Sequence, residues 1–136
     1  TSYCKFSLAY FCVQPNSQDF PDWGYDGLIK LLQSLRDYSK KPLIHWMNEP
    51  VGKSGTVLSI YGSFPNKSDM THPLHVPHQA QWGRFRLAHA VRLIGFTVPG
   101  SMHDQAHMKT GRRFDSNTFY VVFLDKNHKF YKSEAK

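Results

Sequence analysis

The pattern of hydrophobic and polar positions changes several times along the chain, and each change predicts an element. In YCKFSLAYFCV, residues 3–13, aromatic and apolar side chains fall at both parities, as in a strand covered on both faces. PNSQDFPDWG breaks the pattern with two prolines and a glycine. In YDGLIKLLQSLRDYSKK, Leu28, Leu31, Leu32, Leu35 and Tyr38 recur at helical spacing, with Lys30, Gln33, Arg36 and Asp37 between them. This is the main predicted helix. It ends near residues 39–41, where two lysines suit the negative end of the helix dipole and Pro42 follows. LIHWMNE is expected to add a further helical turn.

Residues 55–64, GTVLSIYGSF, read as a strand of β-branched and aromatic residues between glycines. WGRFRL and VRLIGFTV flank a short Ala-His-Ala connection and read as an antiparallel hairpin. FYVVFL, residues 119–124, is the last strand, and it runs into the turn-like Asp-Lys-Asn-His and then Lys-Phe-Tyr-Lys. The expectation is one domain over residues 1–136 of the α+β class. Its sheet is mostly antiparallel, with an N-terminal strand and one or two helices packed on one face. Two irregular stretches, 63–81 and 99–117, are long for a compact domain, where such loops are usually functional or mobile.

Composition narrows this picture. With 40% hydrophobic and 20% charged residues among 136, the chain is globular rather than disordered and long enough to bury a core. No apolar run approaches the ~18 residues of a membrane span, and no signal-peptide pattern is visible. The chain begins at Thr1 rather than methionine, which is compatible with a removed N-terminal piece. Cys4 and Cys12 fall in one predicted strand, about 26 Å apart at strand rise and far beyond the ~7 Å limit of a disulfide. Free thiols are expected, which points to the cytoplasm. Residues 1–81 carry 7 basic and 6 acidic side chains, whereas residues 82–136 carry 10 and 4. The basic second half points to an anionic partner.

The chemistry follows that charge. At period two, Arg84 and Arg86 share a strand face with Trp82, and Arg92 approaches across the hairpin. Guanidinium forks suit phosphate oxygens, and Trp82 can stack on a base. Pairing of an arginine with Asp125 or Asp115 is the structural alternative. If the last strand neighbours the hairpin, His128, Lys129 and Tyr131 join the arginines. Histidine and tyrosine can exchange protons, and arginine or lysine can stabilise charge on a phosphorane-like state. RNA carries its own nucleophile, the 2′-hydroxyl, so cleavage requires no metal. Lys126, Arg112 and Arg113 extend the expected nucleic-acid surface. His72, His75 and His78 in HPLHVPH, with His103 and His107 in HDQAH, raise a zinc alternative, although the intervening prolines favour an extended segment over a metal cradle.

The arginine-bearing pair WGRFRL…VRLIGF and the closing FLDKNHKFY, in the order strand, helical hairpin, antiparallel sheet, resemble the RelE/ParE superfamily of small toxins. Many of these are endoribonucleases that cut messenger RNA free or on the ribosome. The likeness covers residues 82–136, with the first half following in outline and with 63–81 and 99–117 reading as insertions. It implies that Arg84, Arg86 and Arg92 hold the scissile phosphate. His128 would be general acid or base, Tyr131 its assistant and Lys129 an electrostatic contact. It further implies an antitoxin protein partner, with no cofactor, metal or membrane. A non-catalytic RNA- or DNA-binding module and a histidine-ligated metal hydrolase stay open as rival classes.

Overall fold

The last apolar run of the sequence forms the middle of the structure. In the computed structural model, which describes residues 2–87, 91–108 and 110–132, β7 (Thr118–Asp125) is buried at every position. It lies between β1 (Lys5–Ser7), which runs parallel to it, and β6 (Arg92–Thr97), which runs antiparallel. β5 (Gln81–Arg86) and then β4 (Leu58–Gly62) complete a five-stranded sheet of order β1-β7-β6-β5-β4. Two short strands, β2 (Pro50–Val51) and β3 (Gly55–Thr56), pair separately. The class is α+β with a mostly antiparallel sheet, as the pattern predicts. The Ala-His-Ala connection of the hairpin lies outside the described residues.

Helix α1 (Gly24–Tyr38) and the short α2 (Leu43–Asn48) cover one sheet face. Leu31 is buried, and Leu28, Leu35 and Tyr38 pack around it against Phe85, Leu93, Phe119 and Val121. Leu32 departs from the expected stripe at 61% exposed, because one residue on from Leu31 turns it about 100° around the helix. Tyr38 fastens the helix to the sheet: its ring stacks on Phe85 at 4.9 Å, and its hydroxyl donates to the Arg86 carbonyl at 2.6 Å.

The other face is covered without helices. Tyr10, Phe64, Met70, Val76, Phe114 and Phe130 come from irregular segments and pack on Trp82, Ile94, Phe96 and Tyr120. The stretches 63–81 and 99–117 therefore contribute Met70, Val76, Ala80 and Phe114 to the core on this face. A register shift between Ile94 and Gly95 against β7 brings Val122 and Phe123 both onto this side.

Two strands are shorter than predicted. β1 ends at Ser7, where the hydroxyl accepts from the Ala9 amide and a turn closes from Phe11 N–H to Leu8 O. The chain still borders β7, through Cys12 N–H to Val122 O and Gln18 N–H to Leu124 O, so the outer edge of β7 is occupied. The predicted strand 55–64 divides at Val57, whose amide bonds to Glu49 O rather than continuing the sheet. Cys4 and Cys12 are free thiols, as expected, but on different grounds from the strand argument: they lie in the cores on opposite sheet faces. Among the described residues no helix is long and apolar enough to cross a membrane.

Candidate functional site

Period two places Arg84 and Arg86 with Trp82 on the loop-covered face. The β5–β6 register sets Arg86 directly opposite Arg92 and Arg84 opposite Ile94; the β6–β7 register sets Arg92 opposite Asp125. Like charges placed opposite each other destabilise a sheet, so this end of the face is not optimised for folding. Arg84 and Arg92 line a recess of about 430 Å³, closed by Tyr61 from β4 and by His128 and Tyr131 from the turn after β7. Nη1 of Arg84, Nη1 of Arg92 and Nε of Arg86 are buried and bond to nothing among the described residues. Unpaired buried donors are costly, and an anion is the acceptor that guanidinium forks fit best.

Of the two carboxylates that could have neutralised these arginines, Asp115 is engaged elsewhere, whereas Asp125 lines the recess and favours the Arg92 charge without forming an ion pair among the described residues. Asp115 accepts from the Asn117 amide at 2.7 Å and pairs with Lys5 at 3.3 Å. Burial opposes its charge, but those donors outweigh burial and hold its carboxyl below the usual range. Asp125, fully buried in β7, accepts from the amides of Lys129 at 2.9 Å and Phe130 at 3.0 Å. That grip closes the Asp-Lys-Asn-His turn. Within it His128 takes a φ of 58°, the left-handed region that non-glycine residues adopt mainly in tight turns.

The turn delivers three consecutive effects. The exposed His128 ring sits with Nδ1 3.4 Å from Arg92 Nη2. Phe130, at 0% exposure, drops into the core beside Phe64, Trp82 and Phe123. Tyr131 then rises at the rim and stacks on Tyr61, with centroids 4.3 Å apart and rings within 16°. Burial pushes the Tyr61 phenol up, an effect that the Arg84 and Arg92 charges partly offset. Burial, followed by the Arg84 charge, lowers the pKa of Arg92.

The arrangement brings Arg84, Arg92, His128 and Tyr131 together, but not every expected residue. Trp82 shares the arginine face yet is 1% exposed, roofed by Phe64 and Phe130, so it cannot stack on a base. Arg86 stands beside Arg92 but does not line the recess; its guanidinium lies against the β3 hairpin at Gly55. Lys126 borders a groove on the helix side with Trp23 and Lys30. Lys129 is tied to Asp69 at 3.9 Å. Arg113 donates to the Asp104 carbonyl at 2.6 Å, and Arg112 borders a separate cleft beside Tyr10.

The histidines of the irregular segments serve local structure. His72 bonds Pro73 O and stacks near His78, His103 accepts from the Ser116 amide, and His107 pairs with Thr110. Among the described residues no group of three or more His, Cys, Asp or Glu could hold a metal.

Tyr61 and Lys132 have no place in the sequence reading, and Asp125 enters it only as an alternative partner for an arginine. Tyr61 carries a usable signal: it shares a face with Ser59, which stands opposite Arg84, so only the pairing of β4 with β5 is needed to find it. Asp125 as the organiser of the turn, and Lys132, which reaches the recess while paired to Asp69 at 3.0 Å, depend on tertiary contacts. Comparison with protein-family models, curated proteins and solved structures returned no match to the chain.

Proposed function

We propose that the chain is a metal-independent endoribonuclease of RelE-like type that cleaves RNA by attack of its 2′-hydroxyl. The observation that carries this reading is the pair of buried, unpartnered Nη1 donors of Arg84 and Arg92 in one recess with His128 and Tyr131. Two guanidiniums that form no ion pair among the described residues suit a phosphodiester and the added negative charge of its pentacoordinate state. The likeness to RelE toxins rests on the sequence order of strand, helical segment and mostly antiparallel sheet.

In the proposed reaction the 2′-oxygen forms a bond to phosphorus and the bond from phosphorus to the 5′-oxygen breaks. The 2′-hydroxyl loses its proton to one of His128 and Tyr131, and the departing 5′-oxygen gains a proton from the other. The products are a 2′,3′-cyclic phosphate and a 5′-hydroxyl. Arg86 supports the field from beside Arg92, and Lys132 adds positive charge at the rim. The reading assigns the protein to the cytoplasm, with RNA, free or on the ribosome, as substrate and an acidic or amphipathic antitoxin as the partner that covers the basic face.

The test is incubation with RNA in excess chelator, with and without ribosomes, followed by analysis of the ends. Cyclic phosphate ends that vanish with His128→Ala, while RNA affinity changes less than about threefold, are the expected result. RNA binding without any cleavage by the unaltered protein would reduce it to an RNA-binding module.

A further inference from the structure

A second recess, of about 440 Å³, adjoins the arginine recess, and the two share a wall formed by Tyr61, Tyr131 and Lys132. Its far side comes from the start of the irregular segment after β4, including Ser63, Pro65 and Asn66. Tyr131 is stacked on Tyr61 yet remains 49% exposed, so the pair presents a braced aromatic surface at the seam. The Asn66 side chain is exposed and has no hydrogen bond among the described residues. Lys132, held by Asp69, fixes a positive charge at the same seam.

We infer that this second recess is a nucleobase subsite, in which the base attached to the bound phosphate stacks on the Tyr131 pair and presents its edge to Asn66. The inference rests on the arginine recess being a phosphate site. A nucleotide carries its base one sugar away from its phosphate, so the two subsites must adjoin, as these recesses do. Every base has a π-face for an aromatic platform, and a carboxamide offers a donor and an acceptor side by side. The segment long enough to look like an insertion in the sequence would then give the enzyme its base preference.

The test is calorimetric titration of the whole protein, in chelator, with inorganic phosphate and with each of the four nucleoside 3′-monophosphates. The nucleotides are expected to bind roughly five- to a hundredfold tighter than phosphate. Tyr131→Leu should remove that advantage and Tyr131→Phe should keep it, while Asn66→Ala should narrow the spread among the four bases. Equal affinity of all five ligands for the unaltered protein would overturn the subsite whatever the cleavage assay gives. Nucleotides that outbind phosphate on a protein unable to cut RNA would remove the nuclease reading and leave the subsite standing. No binding of phosphate or nucleotide would overturn both.

Discussion

The two faces of the sheet solve the same burial problem with different materials. On one, α1 and α2 lay a periodic set of leucines and aromatics over Phe85, Leu93, Phe119 and Val121. On the other, scattered residues of irregular segments, among them Tyr10, Phe64, Met70 and Phe130, cover Trp82, Ile94 and Phe96. The second face gives way to charge, where Nη1 of Arg84 and Nη1 of Arg92 stand without acceptors among the described residues. A helix covers its whole length with one repeating stripe. A loop can cover part of a sheet and stop, leaving the next strand positions open for chemistry. The difference between the faces is thus a difference in how far each cover extends.

The comparison is tested most strongly by one truncation in each core. Phe85 and Phe130 are both fully buried, so Phe85→Ala and Phe130→Ala should each cost about 3–5 kcal/mol in urea unfolding. Their effects on the recess should differ. Phe85 follows Arg84 on β5 but packs on the helix side, so its variant, where folded, should weaken phosphate binding less than Phe130→Ala does. Phe130 sits one residue before Tyr131 and stacks at 6.2 Å on Tyr61, so its loss should weaken phosphate binding by about tenfold or more. Equal effects on binding would show that the faces are not independent.

The second test separates the two parts that Asp125 plays. Its carboxylate opposes Arg92 across the sheet and also accepts the Lys129 and Phe130 amides. Asp125→Asn sets an amide donor against one of those backbone donors and should cost about 2 kcal/mol. If charge alone mattered, removing a negative group beside two arginines would tighten anion binding. Weaker binding is expected instead, because the turn positions His128 and Tyr131; tighter binding would reduce Asp125 to a counter-charge.

These contrasts also explain what could be read from the sequence. The α1 stripe, the β5–β6 pair and the apolar run of β7 each announce themselves by period, and the shared face of Arg84 and Arg86 follows from spacing alone. Trp82 obeys that spacing and is still unavailable, because its cover comes from Phe64 and Phe130, distant in sequence and without a period. Lys126 shows the same limit from the other side: it adjoins the site in sequence but borders the helix groove. Tyr61 is on the correct parity and needs only its strand partner. The N-terminal strand is overextended because a run of aromatics serves both cores, with Phe11 stacked on Phe20 on the helix side and Tyr10 packed on Phe96 on the loop side.

A smaller effect, of opposite sign, probes the cost of the open end. Burial and the Arg84 charge both act against Arg92. Arg92→Leu should therefore stabilise the protein only slightly, by about 0.5 kcal/mol or less, because solvent screens a partly exposed guanidinium and Tyr61 and Asp125 favour its charge. Phosphate at a hundred times its Kd should stabilise the unaltered protein by about 2.7 kcal/mol and the variant by almost nothing. Destabilisation by Arg92→Leu would mean that the arginine already has a sufficient partner.

The cysteines report on the two covers with no change in stability. Cys4 belongs to the helix-side core, where burial, opposed weakly by Lys5, pushes its thiol up to about 11, and its Sγ–H donates to Tyr38 O. Cys12 packs on the loop-side core and is partly exposed, with burial raising its pKa as well. Alkylation proceeds through the thiolate. At pH 8 the native protein should therefore react with iodoacetamide at Cys12 first, and the Cys4 rate should keep rising with pH towards 11. Mass spectrometry of the labelled peptides reads both sites in one experiment. Phe130→Ala should speed Cys12 alone and Phe85→Ala should speed Cys4 alone. A single truncation that accelerated both thiols equally would show that the two covers open together.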